Sequence, residues 1–73
     1  NLLEQIIKVL KEENEPIHYN EIANKIKDIY FSDSEAAPSP YEIYQTIYRS
    51  IKKKSESSPF FQKKKSVFGL KNI

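Results

Sequence analysis

The sequence predicts a mainly α-helical fold, three helices closed by a small β-hairpin. Three observations carry this expectation. Apolar residues recur at helical spacing in three separate stretches. After Pro59 the pattern shortens to β-prone runs. The chain of 73 residues and 8.6 kDa has no Cys and one His, so disulfides are excluded and a structural zinc site, which takes four Cys, His or carboxylate ligands, is nearly so. A chain this short buries only about 60% of its unfolded surface, so helix packing has to supply the stability. One domain spanning residues 1–73 is expected.

The elements follow in order. Leu3, Ile6, Ile7 and Leu10 stand at i, i+3, i+4 and i+7, the stripe of an amphipathic helix. Glu4 and Lys8, four apart, add roughly 0.2–0.5 kcal/mol. The stripe stops at Asn14, and Pro16 prevents its continuation. Ile17-His18 reads as a short extended bridge. A second helix is expected from Tyr19 or Asn20 to Tyr30, burying Ile22, Ala23, Ile26, Ile29 and Tyr30. His18 with Glu21 makes a weak analogue of a capping box, with Asn20 the alternative N-cap.

Residues 31–38, FSDSEAAP, form a polar loop of breakers. Ser39-Pro40-Tyr41-Glu42 is the clearest local signal. It is a capping box with proline at the first helical position, where a missing N–H costs nothing. Ile43, Tyr44, Ile47, Tyr48 and Ile51 continue a third helix to about Lys54. Ser55 to Pro59 is a loop. Phe60-Phe61-Gln62 and Ser66 to Leu70 then read as strands with Lys63-Lys64-Lys65 at the tip, although the Asn-Gly or Gly that tight turns favour is missing. Phe60 and Phe68 are expected in the core. Gly69, the sole glycine, marks a bulge or a close backbone approach.

The net charge of +2 conceals an asymmetry. Residues 1–37 carry four lysines against eight carboxylates, and residues 38–73 carry eight cations against two, so the halves stand at −4 and +6. A basic half points to a polyanionic partner.

Three helices, an extended bridge after the first and a terminal hairpin make the layout of a winged helix-turn-helix. Several segments go further. Leu10 with Pro16-Ile17-His18-Tyr19, Glu21-Ile22-Ala23, Ser39-Pro40, Ile47-Tyr48-Arg49-Ser50-Ile51, and Ser58-Pro59-Phe60 with Val67-Phe68-Gly69-Leu70 together resemble the HARE-type helix-turn-helix domain. That family occurs in some restriction endonucleases, in chromatin-associated proteins and, in related form, in the delta subunit of bacterial RNA polymerase. The resemblance spans essentially the whole chain and implies a winged-helix fold with a DNA-binding role. The family's hairpin tends to carry glycine near its turn, where this chain has Lys63-Lys64-Lys65-Ser66.

On the third helix, the face opposite Ile43, Ile47 and Ile51 presents Gln45, Arg49, Glu42, Lys53 and Thr46, with Lys52 at its edge. Arg pairs bidentately with guanine and Gln with adenine in the major groove. Lysines toward the helix C-terminus suit phosphate contacts that fix position without reading sequence. Glu42 is assigned to the capping box. Tyr41, Tyr44 and Tyr48 lie on one flank between core and solvent, where core-edge packing is the ordinary role.

The expected function is therefore a DNA-binding winged-helix module. Its third helix, about 40–54, enters the major groove, and its lysine wing, 63–65, rests on the phosphate backbone. The expected nucleic-acid contacts are Gln45, Thr46, Arg49, Lys52, Lys53, Lys63, Lys64 and Lys65, with double-stranded DNA as partner. The alternative is a protein-interaction module of a transcription or chromatin complex, similar to the polymerase delta subunit. No catalytic group is expected. His18 has no nucleophile partner, Asp33 and Glu35 in the loop are too few for a metal site, and no glycine-rich phosphate loop is present. No cofactor and no small-molecule substrate is expected. No run approaches the length of a membrane span, and Glu4 and Lys8 break any signal-peptide pattern at the start. The chain lacks an initiator Met, as expected of an accessory piece of a longer protein, such as a restriction endonuclease. Its expected location is the cytoplasm or nucleoid, or the nucleus of a eukaryote.

Overall fold

The computed structural model describes residues 1–32 and 34–71. Asn1 caps the first helix, α1 (Leu2–Glu13), its side chain accepting from the Glu4 N–H at 2.9 Å. The helix stops at Asn14, whose left-handed backbone lets its own N–H bond back to the Leu10 carbonyl. The apolar stripe buries Ile6, Val9 and Leu10, while Leu3 and Ile7 are half-buried. The buried line thus runs nearer Val9 than the i, i+3, i+4 pattern alone implies.

The expected bridge is a short strand, β1 (Ile17–His18). His18 caps the second helix, α2 (Tyr19–Ile26), its Nδ1 accepting from the Asn20 N–H at 3.0 Å. Asn20 therefore supplies the donor and is not the cap.

The second helix departs from expectation at its far end. The α-helix ends at Ile26, and a π-helical turn, Lys27–Phe31, follows. On an α-helix Ile29 and Tyr30 would share the inward face of Ile26. In the wider i→i+5 turn that inward position passes to Phe31, which packs against the core. Ile29 and Tyr30 turn outward instead and are 53% and 36% exposed. Asp33, half of the acidic pair expected in the loop, lies outside the described residues.

The third helix, α3 (Pro40–Lys54), begins and ends as the sequence predicts. Ser39 Oγ accepts from the Glu42 N–H at 3.2 Å, and the Glu42 carboxylate accepts from the Ser39 N–H at 3.3 Å. A 3-10 turn, Ser55–Ser57, leads to the hairpin of β2 (Phe60–Lys64) and β3 (Val67–Leu70). β3 is central, pairing antiparallel with β2 on one side and β1 on the other. With α1 to α3, this three-stranded sheet makes a winged helix-turn-helix.

Two details of the wing differ from the sequence reading. Lys63 and Lys64 belong to β2, so the turn itself is Lys65-Ser66. The bulge lies in β2, where the register slips between Gln62↔Phe68 and Lys64↔Val67 and leaves Lys63 as the extra residue. Neither Lys65 nor Ser66 takes a left-handed backbone, so the turn needs no glycine. The Gln62 amide ties it by donating to the Lys65 carbonyl at 2.8 Å. Gly69 serves the other expected purpose, a close approach. A Cβ there would stand 3.0 Å from both Phe61 Cε1 and Pro16 Cγ.

The buried residues form one cluster to which every α-helix and all three strands contribute. Phe60 and Phe68 lie within it as expected. No helix of the structure is long and apolar enough to cross a membrane.

Candidate nucleic-acid interface

Burial of Ile43 and Ile47, with Ile51 half-buried behind them, fixes how α3 is rotated on the core. Arg49, Lys52 and Lys53 are consequently exposed, and Gln45 and Thr46 are half-buried at the margin. Lys63, Lys64 and Lys65 are exposed on the wing. Among the described residues no carboxylate pairs with any of these six cations. The ion pairs there are Lys25–Glu13, at 3.1 Å, and Glu4 with the terminal amine.

Wing and helix are joined at the root. The hydroxyls of Ser50 on α3 and Ser58 before β2 share a hydrogen bond of 2.9 Å, and Ser58 Oγ accepts from the Phe60 N–H at 3.2 Å. Ser58 is buried and fully satisfied, so it acts as a pin. Lys71 closes the same corner, donating from Nζ to the carbonyls of Ser55 and Glu56 at 3.1 and 3.2 Å. Its charge serves the fold. Neither role was legible beforehand, because a serine in a loop and a lysine after a strand carry no periodic signal.

The outward face of α3 divides into a crown and two flanks. On the crown, Gln45 Nε2 donates to Tyr41 Oη at 3.0 Å, and Arg49 has no hydrogen-bond partner among the described residues. On one flank Thr46 bonds back to the Glu42 carbonyl at 2.8 Å. Thr46, Arg49, Ser50, Lys53 and Lys54 there border an open cleft of about 240 Å³, with Leu3 of α1 on its far side. The other flank is aromatic. Tyr48 stacks on Tyr44, with ring centroids 5.7 Å apart and planes within 10°, and Lys52 Nζ lies 5.6 Å from the Tyr48 ring centre. Tyr44 in turn meets Tyr19 at 5.3 Å and the edge of Phe68 at 5.8 Å, and Tyr19 meets His18 at 4.6 Å.

This ridge ends at the wing. His18 pairs with Val67 of β3, and the Tyr19 N–H donates to the Ser66 carbonyl at 3.1 Å. The i, i+4 spacing of Tyr44, Tyr48 and Lys52 is visible in the sequence, whereas tertiary packing brings in Tyr19 and His18. Tyr41, expected between core and solvent, is 65% exposed, because it stands in the first turn beyond the core's edge.

Among the described residues no group of three or more His, Cys, Asp or Glu side chains comes together to hold a metal ion. No match to a curated protein or to a solved structure was found. A family model does match, over residues 1–73, and describes the HTH domain shared by ASXL and restriction endonuclease proteins. With that match over its whole length and a winged helix-turn-helix fold, the chain belongs to the HARE-HTH family, a DNA-binding class of helix-turn-helix domain.

Proposed function

We propose that this domain binds double-stranded DNA as an accessory module of a larger protein, with α3 in the major groove and the lysines of the wing on the phosphate backbone. The observation that carries the reading is the placement of Arg49, Lys52, Lys53 and Lys63 to Lys65. They are exposed on two elements pinned together through Ser50 and Ser58, and no described carboxylate neutralises them. Arg49 is the reading residue, its guanidinium suited to guanine O6 and N7. The lysines position the domain by contacting phosphate.

If about five lysines engage phosphates, log K falls against log salt with a slope of about −4 to −5. An affinity that barely changes with salt overturns the reading. Arg49→Ala should alter sequence preference in a competition assay, whereas Lys64→Ala should weaken binding to all duplexes alike. Equal effects of the two on every sequence would mean that Arg49 reads nothing.

A second reading, docking on an acidic protein, draws support from the cleft between Leu3 and α3, which combines an apolar wall with Arg49, Lys53 and Lys54. Copurification with a protein partner, together with no duplex binding, would select it.

A further inference from the structure

The two flanks of α3 are unequal, and the inequality decides how a duplex lies on the domain. The aromatic flank is continuous with the wing through Tyr44, Tyr19 and His18. The opposite flank, with Thr46 and Lys53, faces the cleft toward α1. A duplex touching both helix and wing has to lie along the side that joins them.

On that side Tyr48 has a defined chemistry. It is 38% exposed. Tyr44 stands one turn before it and Lys52 one turn after, and both pack on its ring. The ring is thus held between neighbours and is a poor platform for stacking a base. Its hydroxyl, which has no hydrogen-bond partner among the described residues, is left to donate. Lys52, held over the ring, carries its ammonium beside that hydroxyl, and the cation–π contact lowers the freedom it would lose on binding. A hydroxyl donor next to an ammonium suits a phosphate oxygen.

Resting on the DNA-binding reading above, we propose that Tyr48 and Lys52 form a phosphate-binding pair at the seam between α3 and the wing, and that Thr46 and Lys53 stand clear of the duplex. Tyr48 is then a positioning residue that sequence analysis places at the core edge.

The test is a fluorescence anisotropy titration of a fluorescein-labelled mixed-sequence duplex across a salt series. Tyr48→Phe keeps the stack and removes the hydroxyl. It should weaken binding roughly three- to tenfold with the salt slope unchanged. Lys52→Ala should make the slope shallower by about 0.9, one phosphate contact, while Lys53→Ala and Thr46→Ala leave both slope and affinity as they were. Unchanged affinity in Tyr48→Phe overturns the pair. A slope loss in Lys53→Ala equal to that in Lys52→Ala overturns the one-sided footprint. In both cases the unsubstituted domain still binds DNA, so the broader reading survives. Failure of the unsubstituted domain to bind any duplex removes both.

Discussion

Residues 1–37 contribute Ile6, Val9, Leu10, Ile17, Ile22, Ala23 and Ile26 to the core, and residues 38–73 contribute Ile43, Ile47, Phe60, Phe68 and Leu70. Neither half encloses its share alone. β1, from the first half, completes the sheet of the second by pairing with β3, and α3 packs on α1 and α2. The surface is divided quite differently. The first half holds eight of the ten carboxylates and the second eight of the twelve cations. Burial is indifferent to which half supplies an apolar side chain, so the core mixes them. Exposed charge does not have to pack, and its distribution is free to follow the partner.

The sharpest way to break this comparison is to strike the core from each side. Phe68→Ala should cost about 3–5 kcal/mol and Ile22→Ala about 2–5 kcal/mol. Losses this large rival the stability of so small a domain. Urea melts followed by helical circular dichroism and by tyrosine fluorescence should give coincident midpoints in both variants. Two separate transitions would mean that the halves fold independently.

A smaller effect tests the seam between them. Gly69 on β3 meets Pro16 from the first half and Phe61 from the second. Gly69→Val should destabilise by about 1–3 kcal/mol, because both neighbours have to give way. A melting midpoint equal to that of the parent would show that the contact at Gly69 is loose.

The smallest effects should separate the halves. Ile29→Ser should change stability by less than about 0.5 kcal/mol and leave duplex affinity unaltered, since Ile29 is half-exposed on the acidic side. A drop in duplex affinity would extend the interface into the first half and blur the division.

The contrast between α2 and α3 explains which parts were legible. α3 carries its own boundaries, a Ser39–Glu42 capping box with Pro40 at one end and a basic last turn at the other, and each is a local interaction written into neighbouring residues. Its inward face follows directly from 3.6 residues per turn. α2 has a stop that no local motif announces. Its periodicity continues to Tyr30, but the π-turn shifts the inward position to Phe31. The wing shows the same limit. Its two strands and basic character were readable, while the bulge at Lys63 and the turn at Lys65-Ser66 emerge from pairing with β3.

For the candidate interface, the sequence by itself determined the residue types, the outward face of α3 and the concentration of positive charge after Pro38. These follow from helical spacing and from counting. The tertiary structure alone decided that the face has two unlike flanks, that Ser58 pins the wing to α3, that Lys71 is drawn into the fold, and that Tyr19 and His18 extend the tyrosine line to the wing. Each of these joins residues distant in sequence, and which distant residues meet is set by how the helices and sheet pack around the shared core.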